Sequence, residues 1–280
     1  MRLFKKIIAL LCGFLLLLLF IENCTQSSPI SPDDPDAVSV SASISIQKSA
    51  LSALALTRMT LEVTDQGNPI AGTPKVLTMT AGGASGQVKV PKDKMLTYIV
   101  TAYIDTVKVL QGSDSLKATA GGNNSIHITL GFLIPALILT PSDTTVTKGQ
   151  NFTLYVQARQ VTSMSTIGTR VQFDTSKVQI QDIGREDAFL KSNGGSVNTL
   201  KFTKDNDKGI VDIVLGVFPG SAAVSGNGKI GRIVFKAMET GTMDLHLLLD
   251  NTIDPDLGLY DKSANLLFAI GLGGRITIKE

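Results

Sequence analysis

Few side chains in this sequence have the type and spacing that chemistry requires. Of 280 residues, two are histidine, two are cysteine and none is tryptophan. His127 stands in Ser125-Ile126-His127-Ile128-Thr129, where alternation puts it on the polar face of a strand, and His246 lies opposite Met243, Leu245, Leu247 and Leu249. Two separated histidines, with no cysteine beyond Cys24, furnish neither a Cys/His nucleophile pair nor the three or four ligands of a zinc site. Asp250, Asp254, Asp256 and Asp261 crowd one loop and could chelate Ca2+ through oxygen. Their spacing lacks the EF-hand signature, and acidic residues beside Pro255 and Gly258 are ordinary turn formers. Gly226-Asn227-Gly228-Lys229-Ile230-Gly231 matches the dinucleotide fingerprint letter by letter. That fingerprint needs a following helix whose N-terminus faces pyrophosphate, whereas Arg232-Ile233-Val234-Phe235 favours a strand, so a loop and strand start are expected. A carboxylate pair for glycoside hydrolysis needs a sugar cleft, and the scarcity of aromatic rings argues against one. The expectation is a non-catalytic protein without a cofactor, Ca2+ in the aspartate loop being the one metal with any support.

The reactive groups that remain lie at the N-terminus. Arg2, Lys5 and Lys6 precede a run from Ile7 to Ile21 that is apolar almost throughout, the layout of a secretory signal over residues 1–23 rather than of a membrane span. Cys24 follows that run and resembles the lipobox cysteine of bacterial lipoproteins, which is lipidated and becomes the mature N-terminus, although Glu22 and Asn23 stand where small residues are usual. The resemblance implies an exported chain anchored by lipid in the bacterial envelope, at the outer membrane or cell surface; the alternative is an uncleaved anchor with a free Cys24. Residues 24–37 hold Thr25-Gln26-Ser27-Ser28-Pro29-Ile30-Ser31-Pro32-Asp33-Asp34-Pro35-Asp36 and read as an extended tether. Without Arg2, Lys5, Lys6 and Glu22 the remainder carries equal numbers of basic and acidic residues and no basic block, which excludes an electrostatic footprint for nucleic acid. Both cysteines fall in the leader and its junction, so the rest must be held by packing rather than by disulfides.

The elements available to position anything are strands. Residues 38–132 alternate with Gly, Asn and Asp punctuation: Val38 to Ile46, Met59 to Val63, Gln87 to Val90, Tyr98 to Ile104 and Ser125 to Leu130 are strand candidates, and Lys48 to Leu56 reads as an irregular strand. They make a small β-sandwich that weakly resembles immunoglobulin-like or transthyretin-like modules. Over residues 133–280 the pattern lengthens. Ala136 to Thr140 stops at Pro141, and Phe152, Leu154, Val156 and Ala158 share one face of Asn151 to Arg159. Gly168 to Phe173, Lys177 to Ile183, Thr199 to Thr203, Ile210 to Val217, Ile230 to Ala237, Met243 to Leu249 and Arg275 to Ile278 bring the count to about nine, which suits a jelly-roll sandwich. The fold class is therefore all-β, with two sandwich modules.

The order of signals in the second module carries a resemblance. Thr147-Lys148-Gly149-Gln150 before Phe152 to Val156, then Val171-Gln172-Phe173-Asp174, Val178-Gln179-Ile180, and Gly228-Lys229-Ile230-Gly231-Arg232-Ile233-Val234-Phe235-Lys236-Ala237 before Gly241 resemble a cohesin domain over roughly residues 134–280. Cohesins are nine-stranded sandwiches that hold dockerin modules of other proteins, so the resemblance implies protein docking by a sheet face. The face it implies holds Gly168 to Phe173, Thr199 to Thr203, Ile210 to Val217 and Met243 to Leu249. Where many cohesins carry an Asn-x-Asp pair, this sequence has Thr166-Ile167-Gly168.

On that face, alternation separates Ile210, Asp212 and Val214 from Val211, Ile213 and Leu215, and an unpaired Asp cannot cheaply be buried. Ile210, Asp212 and Val214 are therefore expected on an open outer face as a partner-binding centre, unless a loop covers them. Phe218, in the turn Gly216-Val217-Phe218-Pro219, is expected near the sheet's end as an interface anchor or a core plug. A protein partner, possible dockerin recognition included, is the leading reading. Carbohydrate binding and a purely structural envelope role are the alternatives, the first weakened by the absence of tryptophan to stack on sugars.

Overall fold

The computed structural model describes residues 36–45, 56–80, 83–218 and 220–280. The leader, Cys24, most of the tether and most of Lys48 to Leu56 lie outside them. Every regular element among the described residues is a strand, as β-branched runs broken by Gly, Asn and Asp demand.

The N-terminal half packs two sheets. One runs Thr78–Thr80, Gly83–Pro91, Ala37–Ser45, Ser125–Thr129; the other runs Gly131–Phe132, Val107–Lys117, Met95–Ile104, Arg58–Asp65, Asn68–Pro69. Alternate residues face inward: Val40, Ala42 and Ile44 from one sheet meet Met59, Leu61 and Val63 from the other. His127 keeps to the exposed side, between buried Ile126 and Ile128, as alternation requires.

In the C-terminal half all nine expected strands form, joined by shorter ones at Asp143–Thr147, Gly258–Tyr260, Leu266–Leu267 and Ile270–Leu272. One sheet runs Val178–Arg185, Val224–Ala237, Asn151–Met164, Ala136–Thr140, Ile270–Leu272. The facing sheet runs Asp143–Thr147, Gly274–Lys279, Gly241–Leu248, Thr166–Gln172, Ile210–Val217, Val197–Asp205. Pro141 has no N–H for a ladder, and the chain leaves one sheet there and resumes at Asp143 on the other. Between the sheets, Phe235 stacks on Phe152 at 5.5 Å and meets Phe173 edge-on at 5.4 Å.

The Gly226 to Gly231 stretch lies wholly inside the strand Val224–Ala237: the strand character of its continuation holds, but the loop expected before it is not there, because the strand already begins at Val224. Two of its glycines serve packing: a Cβ on Gly228 would meet the Phe189 Cβ at 2.3 Å, and one on Gly231 the Ile213 side chain at 2.9 Å.

The strand Ala136–Thr140 serves two cores. Leu137 and Leu139 point into the C-terminal cluster, while Ala136 packs in the N-terminal cluster with Ile138 against it. Its parallel neighbour sends Ile270 and Leu272 into the same N-terminal cluster. The ribbon after Phe268 lies so close to its neighbour that a Cβ on Gly273 would sit 1.7 Å from the Leu245 carbonyl oxygen.

Candidate docking face

The four strands implied as a docking face are hydrogen-bonded neighbours in one sheet, in the order Gly241–Leu248, Thr166–Gln172, Ile210–Val217, Val197–Asp205. Their inward residues, among them Ile167, Val171, Val211, Ile213, Leu215 and Leu245, are core. The opposite side of Thr166–Gln172 therefore carries Gly168, Arg170 and Gln172, which pair across the ladder with Val214, Asp212 and Ile210.

Alternation thus assigned the two sides of Ile210–Val217 correctly, but the outer side is not open. Val214 is 5% exposed and Asp212 is buried, with only Ile210 half-buried. Two causes act together. Asp212 is paired rather than solvated: its carboxylate accepts hydrogen bonds from Arg170 Nε at 2.6 Å and from the second Arg170 nitrogen at 3.2 Å, and ion-pairs with Lys201 at 2.7 Å. The loop 250–257 also folds back over the sheet, and Gly168 has no side chain to keep it away. A Cβ there would lie 1.7 Å from the Asp256 carbonyl oxygen. Tyr260 Oη donates to the Pro255 and Leu257 carbonyls, and Asp254 accepts from Arg170 at 2.8 Å, closing a Lys201–Asp212–Arg170–Asp254 chain.

Burial alone would raise the Asp212 carboxyl, but the hydrogen bonds from Arg170 and Lys201 outweigh it and hold the group below the ordinary carboxylate range. The same contact raises Arg170, chiefly through its hydrogen bond to Asp212. This network is not legible in the sequence, because Arg170 and Lys201 are distant from Asp212 along the chain and only strand pairing brings them to it.

The other singled-out groups have local duties. Phe218 is 47% exposed and belongs to neither core cluster, so it is no core plug. It walls a cleft of about 560 Å3 with Val217, Tyr260, Ser165 and Lys262 at one end of the sheet. The four loop aspartates do not converge: Asp250 caps a turn at Thr252, Asp254 holds Arg170, and Asp261 accepts from Ser263 and Asn265. Among the described residues no three His, Cys, Asp or Glu side chains group as metal ligands. His246 is exposed, away from the core leucines that flank it.

Residues 138–265 match the family model of the cohesin domain. Among solved structures, the chain is similar to a non-cellulosomal cohesin from Archaeoglobus fulgidus, at 14% identity over 52% of this chain and 92% of that one, with a TM-score of 0.38. A type I cohesin–dockerin complex from Clostridium thermocellum gives 12% identity over 52% and 99%, TM-score 0.39. CaCohA2 from Clostridium acetobutylicum gives 19% identity over 52% and 91%, TM-score 0.39. No curated protein matches the chain. The Phe173-Asp174 and Ile233-Val234-Phe235 steps that carry the family pattern are structural here: both Phe rings are core, and Asp174 caps the turn at Ser176.

Proposed function

We propose that this protein is a non-catalytic docking protein, whose C-terminal half engages another protein through the sheet face centred on Thr166–Gln172 and Ile210–Val217. The observation that carries the reading is the match of residues 138–265 to the cohesin domain; the four strands that the resemblance implies as a docking face are neighbours in one sheet, which supports it. The partner class is a dockerin-bearing protein. Cys24 anchors the chain to the bacterial envelope by lipid, residues 24–37 act as tether, and the N-terminal sandwich lifts the docking half away from the membrane. Titration of the purified chain with a panel of type I and type II dockerin modules, followed by calorimetry, tests the reading. Saturable one-to-one binding to at least one module, lost in a variant with charge-reversed outer residues of Val197–Asp205, is expected; no binding across the panel overturns dockerin as the partner class.

Carbohydrate binding has one feature in its favour, the cleft walled by Phe218 and Tyr260 with Ser165 and Lys262 beside them. Rings and hydroxyls together suit a sugar. Glycan-array binding that Phe218→Ala removes would support this second reading.

A further inference from the structure

The loop over the docking sheet is chemically matched to what it covers. The sheet supplies two cations, Arg170 and Lys201, against one carboxylate, Asp212, leaving an excess positive charge that Asp254 neutralises. Arg170 is the less hydrated of the two cations, 17% exposed against 35% for Lys201, so a second carboxylate on this face stabilises it once Asp212 is shared with Lys201. Between Asn251 and Asp256 few side chains hold the loop to the sheet. Asn251, Thr252, Pro255 and Asp256 are exposed, and Ile253, 62% exposed, is turned to solvent rather than into the groove. Its grip is the Asp254–Arg170 pair, the passage of the Asp256 carbonyl over Gly168 and the Tyr260 hydroxyl shared between the Pro255 and Leu257 carbonyls; beyond it the chain is fixed by buried Leu257 and by the pairing of Gly258–Tyr260 with Thr166–Gly168. Residues 250–256 hold three aspartates and no basic residue.

We infer that the face around Gly168, Arg170 and Lys201 is a recognition site for an extended acidic segment, filled in this chain by its own Asp254-Pro255-Asp256, and that a protein partner docks by bringing a carboxylate to Arg170 in its place. This rests on the docking reading of the same sheet and names the chemistry that the partner must present. The Gly168 position sets the form of the segment, since only a main chain free of side-chain bulk beneath it reaches so close to the sheet. Arg170 sets the charge, because its fork reaches Asp212 and Asp254 together.

The experiment needs no partner. Val214→Cys is placed under the loop in the full-length chain, and its alkylation rate is followed by mass spectrometry of the individual peptide, which separates it from Cys12 and Cys24. With the loop in place the thiol is slow. Adding Asp254→Asn is expected to raise its rate at least tenfold, and an acetylated, amidated peptide of residues 251–258 at millimolar concentration to return it toward the starting value. The same peptide with both aspartates changed to Asn is expected to give no protection. An alkylation rate of the Val214→Cys thiol that is unchanged by Asp254→Asn and also by Gly168→Ala, which forces the loop up, overturns the inference, as does equal protection, or none, by the two peptides. Dockerin binding by the wild-type chain alongside an unmoved labelling rate leaves the docking reading standing and removes only this one.

Discussion

Replacing Asp212 by Asn removes one negative charge from the centre of the outer sheet face while keeping the side chain's shape. The two cations it held are unequal. Arg170 is 17% exposed and gives Asp212 a two-pronged contact at 2.6 and 3.2 Å, whereas Lys201 is 35% exposed and makes one at 2.7 Å. Breaking a buried pair by removing one partner costs about 3–5 kcal/mol, and an exposed pair is worth roughly 0–1 kcal/mol. Arg170 keeps Asp254, and Lys201 has a short path to water, so the loss falls between the two, about 2–3 kcal/mol. For a unit of this size that is a fall in Tm of roughly 5–10 °C. Urea unfolding followed by far-UV circular dichroism measures it at pH 7, with the m-value checked for constancy. A pH series supplies the second arm. The folded carboxyl is held below its unfolded value, so its contribution is complete above about pH 4 and is lost as pH falls through the folded value. Wild type should therefore converge on Asp212→Asn in acid and diverge from it toward neutrality. A loss under about 1 kcal/mol with parallel pH curves would refute the reasoning, by showing that water screens this network as it does a surface pair.

Four further outcomes follow from the packing and the leader. Leu272→Ala should cost about 2–4 kcal/mol and speed hydrogen exchange in the N-terminal strands as well as its own, because that side chain packs in the N-terminal cluster; an effect confined to the C-terminal half would contradict this. Gly273→Ala, with its Cβ driven against the Leu245 carbonyl, should lower Tm by more than Gly149→Ala, which meets open space but has a left-handed φ of 85°; the reverse order would mean that the ribbon shifts freely. Tyr98→Phe should stabilise by about 1 kcal/mol, since the buried hydroxyl has no hydrogen-bond partner among the described residues. Burial pushes Tyr98 up to about 12, so wild type should also lose stability relative to Tyr98→Phe as pH rises past the unfolded value of about 10. Cys24→Ala should abolish labelling by a fatty-acid analogue and release the protein from membranes; continued labelling would remove the anchor.

Period-two patterning is local, and wherever it was unbroken the strand could be read directly. Asn151 to Arg159 and Ile210 to Val217 formed as alternation indicated, and so did the division of Val211, Ile213 and Leu215 from Ile210, Asp212 and Val214. Val107–Lys117 is not legible as a strand from alternation, because Gly112-Ser113-Asp114-Ser115 has the composition of a turn. Gly112 is instead where the strand passes under the Thr129 carbonyl oxygen, which a Cβ would approach to 2.1 Å. Ile270–Leu272 escaped for the same reason, its glycines marking close approach rather than a bend.

Sequence alone determined the strand character, the side of each strand that faces a core, the absence of charge for nucleic acid and the family pattern of the second half. Tertiary structure decided what lies over the outer side. Burial of Asp212 depends on Arg170 and Lys201 arriving from two neighbouring strands, and the closing of the outer side at Gly168, the ladder partner of Val214, on a loop some forty residues further on finding no side chain there. Alternation reports which way a side chain points, a property of its own backbone. Whether solvent or another segment meets it there is set by contacts between residues far apart in the chain, and these leave no period in the sequence.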